Sequence, residues 1–348
     1  MDSKSRILVA MSGGVDSTVA AKLLQEQGVD CAGGTMLLHS REPGVAQDAA
    51  AVCRQMEMEF HLLDAHDEFR QAVMESFAQC YEAGLTPNPC IVCNKHLKFG
   101  YFLEKAEHMG FDFIATGHYA QIEKRQDGRH LLKKAANQVK DQTYFLYTLT
   151  QHQLAHTLFP LGGLSKEEVR QIAQTQGLVN ASKRDSQDIC FIPDGDYPHF
   201  LEEYRDMAYN PGDFLDLEGN IIGKHKGAVA YTLGQRKGLG VALGQPVYVC
   251  GKDMERNTVT LGPNEALMRR CLRAVDWNWI SIDSPTAPIR VLAKTRSRMI
   301  EQPATVYPED GGCRVEFDEP QRAMTPGQAV VLYDGNIVVG GGTITEIL

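Results

Sequence analysis

Ile7-Leu8-Val9-Ala10-Met11-Ser12-Gly13-Gly14-Val15-Asp16-Ser17-Thr18 decides how the chain is read. A short aliphatic and β-branched run reads as a buried parallel strand. A Ser-Gly-Gly turn follows, and the spacing predicts a helix from about Ser17 to Gln27. Gly13 and Gly14 carry no bulky side chains, so a phosphate can come close to their backbone N–H groups. Ser12 and Ser17 add hydroxyl donors, and the helix turns its positive N-terminal end to the same point. The chemistry is that of a pocket for a pyrophosphate-like group.

A glycine-rich turn between strand and helix is common, and Gly-Gly alone says little. The Walker pattern is excluded because no Gly-Lys-Ser/Thr follows, and the dinucleotide fingerprint because the third glycine is missing. The whole string Ser-Gly-Gly-Val-Asp-Ser resembles the signature of the ATP pyrophosphatases, which split ATP to AMP and pyrophosphate while adenylating a carbonyl oxygen.

At 348 residues the chain is long enough for two or three domains. Its hydrophobic and charged fractions, 43% and 23%, are those of a soluble globular protein. The polar start, Met1 to Arg6, and the short strand after it fit neither a signal peptide nor a membrane span, so a cytoplasmic protein is expected, with no membrane partner. The net charge of −9 argues against indiscriminate coating of nucleic acid and leaves room for one RNA bound through local basic patches. Nine cysteines in that compartment suggest thiols, metal ligands or catalytic groups rather than structural disulfides.

Strands are expected at Cys31–Leu37, Phe60–Leu63 and 113–116, with helices at 45–58, 68–82 and 95–109. The alternation implies a parallel sheet covered on both faces, with ligands beyond the strands' C-terminal ends. The Ser-Gly-Gly turn, Met36 and Gly117-His118 should therefore converge. Gln126-Asp127-Gly128-Arg129 is a hairpin signal between 119–124 and 130–134, and further helices are expected over 151–157 and 166–176. After about Tyr209 the chain becomes glycine-rich and β-leaning, and short alternating segments after Met268 suggest a small barrel. The expected division is 1–209, an α/β parallel-sheet ATP pyrophosphatase domain; 210–267, a small central β-rich domain; and 268–348, a β-barrel that contacts RNA.

Thr86-Pro87-Asn88-Pro89-Cys90-Ile91-Val92-Cys93-Asn94-Lys95 is the second informative stretch. Two prolines keep the chain extended before a C-x-x-C, and a helix is expected to start at Lys95. Its dipole and the Lys95 charge would favour thiolates. Cys190, in Ser186-Gln187-Asp188-Ile189-Cys190-Phe191, is a third candidate. Four readings stand side by side: incidental thiols, a zinc site lacking its second ligand pair, persulfide and disulfide chemistry, and three corners of a [4Fe–4S] cluster. Cys31, Cys53, Cys80, Cys250, Cys271 and Cys313 read as packing residues.

Taken in register, these stretches resemble the tRNA-specific 2-thiouridylases (MnmA family) along essentially the whole chain. The further matches are Ala115-Thr116-Gly117-His118-Tyr119, Lys140-Asp141-Gln142 with Tyr144-Phe145-Leu146-Tyr147, Asp188-Ile189-Cys190-Phe191-Ile192, Thr232 through Gly240, and Thr325-Pro326-Gly327-Gln328. The resemblance implies that the C2 oxygen of the wobble uridine in tRNA is adenylated by ATP and replaced by sulfur. ATP would be bound by Ala10, Met11, Ser12, Gly13, Gly14, Val15, Asp16 and Ser17 with Met36 and Gly117, and Mg²⁺ is expected with it. Cys190 would carry the persulfide and Cys93 would free the sulfur, leaving a Cys93–Cys190 disulfide. Asn88, Pro89 and position 90 would meet the target base. His118, Lys140, Asp141, Gln142, Arg296 and Gln328 would touch tRNA. A cysteine desulfurase or sulfur carrier would donate the sulfur.

Many members carry aspartate where this chain has Cys90. The substitution adds a third thiol, as in related thiolases that use an iron–sulfur cluster. The segment Leu38 to Ala46 looks short for the family, and Ser297 stands where an aromatic residue is common. Of the basic clusters, Lys294, Arg296 and Arg298 alternate as on one strand face, which suits a phosphate backbone. Two rivals remain. Another ATP pyrophosphatase, a ligase or amidotransferase on a small metabolite, would need no distant cysteines. A non-catalytic RNA-binding protein with a zinc knuckle would have no use for the Ser-Gly-Gly turn.

Overall fold

A computed structural model of the protein describes residues 5–39, 44–183, 189–241 and 244–348. Arg184, Ser186, Gln187, Asp188 and part of the short 38–46 segment lie outside them. The chain runs through β1 (Arg6–Ala10), β2 (Asp30–Leu37), β3 (Phe60–Asp64), β4 (Phe113–Ala115), the hairpin β5 (Ala120–Lys124) and β6 (His130–Lys134), and β7 (Thr157–Leu158). Five of these form a parallel sheet in the order β3-β2-β1-β4-β7. Ile7, Leu8 and Val9 are fully buried because both faces are covered. Leu8 packs with Phe99 and Phe102 on one side, and Ile7 and Val9 pack with Ala21, Leu24 and Val52 on the other. β1 pairs with β2 on one flank and with β4 on the other. The chain order reverses there, so a crevice opens beyond the C-terminal end of β1.

The helix expected from Lys95 begins six residues earlier. It runs over Pro89–Cys93, widens to a π-turn over Asn94–Tyr101 and closes over Phe102–His108. Pro89 starts it because proline's missing N–H and fixed φ suit the first helical position. The two cysteines therefore lie inside the first turn rather than ahead of it.

β8 (Gly212–Leu215), β9 (Ile221–His225), β10 (Tyr248–Asp253) and β11 (Thr258–Gly262) form a small sheet in the order β10-β11-β8-β9. The last six strands are β12 (Met268–Trp279), β13 (Ile289–Lys294), β14 (Gln302–Glu309), β15 (Gly312–Arg322), β16 (Ala329–Asp334) and β17 (Ile337–Ile347). They close into an antiparallel barrel because β12 pairs with both β15 and β17. The molecule is thus α/β, with a parallel-sheet N-terminal part, a small central β part and a C-terminal β-barrel.

The hairpin pattern also predicts β5 and β6, but not their neighbour. β6 joins β17 at Ile337–Lys133, so the hairpin extends the barrel's sheet. Tyr144, 1% exposed, fastens the two bodies further. Its hydroxyl donates to the carbonyls of Thr295 and Ala329, at 3.1 and 3.0 Å. Among the described residues no helix is long and apolar enough to cross a membrane.

Candidate functional site

The chain leaves β1 at Met11, whose N–H donates to the Gly34 carbonyl at 2.8 Å. Gly13 turns it with φ +66°, a left-handed conformation that suits glycine. A Cβ there would also lie 2.9 Å from the Asp48 Cβ. Gly14 is the N-cap of the helix Val15–Glu26, and no side chain caps it. The leading N–H groups of that helix and the exposed Ser12 hydroxyl form the anion-facing end. Ser17, expected to donate to the anion, is buried and braces the turn: its hydroxyl accepts from Ser12 N–H and donates to the Gly14 carbonyl.

Sequence reasoning placed Asp16 in the turn and missed what holds it. Lys166 Nζ lies 2.7 and 2.8 Å from the two Asp16 oxygens, and the Tyr119 hydroxyl donates to Oδ1 at 3.0 Å. Lys166 is 6% exposed. Asn180 Nδ2 and Lys183 Nζ both donate to the Gly13 carbonyl at 3.2 Å, and Lys183 also pairs with Asp48 at 2.7 Å. The Ser165-x-x-Glu168 capping pattern announces the helix that begins with Lys166, but no local signal points that lysine at Asp16. Gly117, after β4, packs so closely on the turn that a Cβ would lie 2.8 Å from Asp16 C and Ser17 N. Met36, on β2, is half-buried against two apolar clusters.

The thiol-bearing segment is clasped from the barrel. Thr86 N–H donates to the Pro326 carbonyl at 2.9 Å. Gln328 Nε2 donates to the carbonyls of Thr86 and Pro87, at 2.8 and 3.2 Å. Gly327, φ +89°, leaves no room for a Cβ against the Thr86 N–H. Gln328, expected on tRNA, holds the Pro-bracketed loop in place. Beside that loop is a largely apolar cavity of about 460 Å³, bordered by Asn88, Cys80, Ile91 and Tyr147.

Cys90 is exposed and Cys93 is buried. Cys190 is exposed as a residue, although its thiol is largely withdrawn from water. Phe191 and Ile192 pack in the same apolar cluster as Cys93 and Leu97, which brings the Cys190 turn to the C-x-x-C helix. The three thiols respond to one another and to one cation. Burial pushes the Cys190 thiol up to about 11, helped by Cys93 and Cys90 and opposed by Lys98. Burial raises Cys90 and Cys93 as well, and Lys98 again opposes. The thiolate-favouring environment expected from Lys95 and the helix end is therefore corrected. Lys95 is exposed to solvent, Lys98 is the cation that faces the sulfurs, and desolvation outweighs it. The sulfurs do not all lie within 4.8 Å of one another, as a single bound metal ion would need.

His118, expected at the tRNA surface, is an interior residue. Its Nδ1 is 2.7 Å from Thr116 Oγ1, and its ring packs against those of Phe99 and Phe159. Burial holds its pKa well below the usual histidine range, and Lys98 lowers it further. Lys98 thus faces the thiols and the residue that follows Gly117. Asp141 accepts from Ala135 N–H and the Thr143 hydroxyl, and Gln142 Oε1 accepts from Tyr119 N–H. Both order the 135–143 loop, in which Lys140 is half-buried and Val139 is 91% exposed.

The basic strand face is also corrected. β13 ends at Lys294, which is 5% exposed, pairs with Glu301 and lies over the Tyr333 ring. Arg296 donates to the carbonyls of Leu233 and Ala323 and to Thr325 Oγ1, tying the central sheet to the barrel. A strand that stops at residue 294 cannot align the three side chains.

Three family models match the chain in succession: the tRNA methyl transferase HUP domain over residues 5–194, the tRNA methyl transferase PRC-barrel domain over 198–263, and the aminomethyltransferase beta-barrel domain over 269–344. The tRNA-specific 2-thiouridylase MnmA of Acetivibrio thermocellus is 50% identical, covering 98% of this chain and 99% of its own. Those of Halothermothrix orenii and Clostridioides difficile are 48% and 46% identical, covering 98% and 100% of this chain and 99% and 100% of their own. With a parallel sheet, an anion-binding turn and a C-terminal barrel matched from end to end, the chain belongs to the tRNA-specific 2-thiouridylase (MnmA) family.

Proposed function

We propose that the protein is an ATP-dependent tRNA 2-thiolase acting on the wobble uridine. The observation that carries the reading is the path from the nucleotide turn to the thiols. Gly117 packs on the turn at Asp16 and Ser17, the ring of His118 after it lies 5.5 Å from the Phe99 ring of the thiol-bearing helix, and Phe191 and Ile192 bring Cys190 to that helix beside Cys93.

The turn over Ala10–Ser17 would hold the ATP phosphates, with Mg²⁺ arriving on the triphosphate. The C2 oxygen of uridine attacks the α-phosphorus, and pyrophosphate leaves toward the N–H groups of the helix, which stabilise its charge. The outer sulfur of a Cys190 persulfide then attacks C2 and AMP departs. Cys93 thiolate attacks the inner sulfur, releasing 2-thiouridine and leaving a Cys93–Cys190 disulfide that an external thiol reduces. The sulfur would come from a cysteine desulfurase or a carrier protein. Asn88, Pro89 and Cys90 border the place where the base would enter after leaving its stack. Lys140 and the exposed Val139 supply a surface for the anticodon loop. The enzyme would work in the cytoplasm, where tRNA and ATP are at hand.

A second reading is carried by Cys90, whose thiol lies one helical turn from that of Cys93. The three-thiol donor set of Cys90, Cys93 and Cys190 fits a [4Fe–4S] cluster, which would supply an open iron to bind sulfide. A thiolation assay with tRNA, ATP and a persulfide donor tests both readings. Cys93→Ser and Cys190→Ser should give no 2-thiouridine while tRNA-stimulated pyrophosphate release persists. Release stimulated by small carbonyl acids instead of tRNA would place the enzyme among the metabolite ligases. Full activity in iron-free protein would remove the cluster.

A further inference from the structure

At the far end of the helix that begins at Pro89, a different set of donors comes together with the helix Gln151–Ala155. His152 lies in the short helix Gln151–Ala155, and His156 follows one turn later at its C-cap. Residues four apart on a helix share a face, and the two rings stand 4.4 Å apart between centroids. Glu107 comes from the preceding helix, Phe102–His108, and its Oε1 is 2.8 Å from His152 Nε2. Among the described residues this is the one group of three such side chains whose ligand atoms all lie within 4.8 Å of one another.

We propose that Glu107, His152 and His156 form a binding site for a divalent transition-metal ion of the zinc class. Two imidazoles and one carboxylate are the donor set that zinc takes when a water fills the fourth position. The site has an outer shell as well. His156 Nδ1 is 2.9 Å from the His152 carbonyl, which assigns the proton to Nδ1 and leaves the Nε2 lone pair for a metal.

The position gives such an ion a mechanical role. Gln151, next to His152, holds both backbone groups of His130 through its side chain, at 2.8 and 2.9 Å, and donates to the Ile280 carbonyl at 3.1 Å. His156 is followed directly by β7 at the edge of the parallel sheet. A metal on these residues would bolt the helix Phe102–His108 to the segment that leads from the barrel hairpin back to the parallel sheet. It would replace the His152–Glu107 hydrogen bond by two metal–ligand bonds.

Cobalt(II) titration of the full-length reduced protein tests this, because cobalt bound by imidazole and carboxylate lacks the sulfur-to-metal charge-transfer band that thiolates give. One equivalent should bind with ligand-field bands alone, and His152→Ala and His156→Ala should each weaken it by about tenfold to a hundredfold. Zinc should raise the melting midpoint of the parent and not of these variants. All three side chains are at or near the surface, so the variants should fold; Glu107→Gln, which keeps the side-chain shape, is an independent check and should also weaken binding. Equal cobalt affinity in parent and histidine variants, a spectrum made only of thiolate bands, or a zinc-insensitive melting midpoint would overturn the site.

Discussion

At Cys190, burial and two neighbouring thiols push proton release up to about 11, while the Lys98 ammonium and, after it, a backbone hydrogen bond pull the other way. A thiol is nucleophilic as its thiolate, so reactivity should follow that titration. Alkylation of Cys190 by a small neutral reagent, followed by mass spectrometry, should be slow at pH 7 and should accelerate continuously as the pH rises toward about 11. Lys98→Met removes the one opposing charge and should slow alkylation of Cys90, Cys93 and Cys190 at each pH; equal or faster rates would show that Lys98 does not govern them. The three cysteines were legible from the C-x-x-C spacing and the family resemblance. Lys98 was not, because the nearest cation along the chain is Lys95. The π-turn over Asn94–Tyr101 follows a five-residue repeat, which places residue 98 over Cys93. Only the helix start at Pro89 reveals that geometry.

Among the elements, the helix Lys166–Thr175 shows how a cap can serve a distant turn. Ser165 Oγ accepts from the Glu168 N–H at 3.2 Å, and Glu168 accepts from the Ser165 N–H at 2.7 Å. The first residue of the capped helix, Lys166, then reaches the Asp16 carboxylate. Ser165→Ala should cost about 1 kcal/mol of stability in urea unfolding. Lys166→Met leaves the partly exposed Asp16 carboxylate with the Tyr119 hydroxyl but without its cation, and should cost about 2 kcal/mol and raise the KM for ATP more than it lowers kcat. A Lys166→Met protein as stable as Ser165→Ala, with an unchanged KM, would mean that the ion pair does not hold the turn. The cap is written in four consecutive residues and was readable. The ion pair spans 150 positions, and nothing in the hydrophobic period of either helix encodes it.

Across the whole molecule, Gly341, the middle one of three successive glycines, lets the α/β body and the barrel meet. A Cβ on Gly341 would lie 2.5 Å from the Tyr147 ring, while Gly340 and Gly342 sit under Trp279 and Trp277. Asn278 donates to the carbonyls of Tyr147 and Leu149 at 2.7 and 2.9 Å across the same seam. Gly341→Ala should therefore displace Tyr147, cost ~1–3 kcal/mol, and reduce tRNA thiolation more than tRNA-independent ATP binding. Calorimetry and nucleotide titration check this, and an unchanged melting midpoint would show that the seam yields freely. The barrel itself was legible in its short alternating strands. The attachment of the hairpin to β17 was not, because edge pairing is chosen by the partner's register rather than by a strand's own pattern.

The clasp of Gln328 on Thr86 has a consequence for the order of events during translation. The two residues are 242 positions apart. At roughly 5–20 residues per second, the Cys90–Cys93 helix waits on the order of 10–50 s on the ribosome before its clasp has been synthesised. During that interval a core cluster of the α/β part still lacks Ala329, Val331, Tyr333 and Val338 of the barrel, and the loop that would receive the base has no anchor. Sulfur chemistry is thereby deferred until the polypeptide is nearly complete, so that unfinished chains have no ordered place to activate an RNA base.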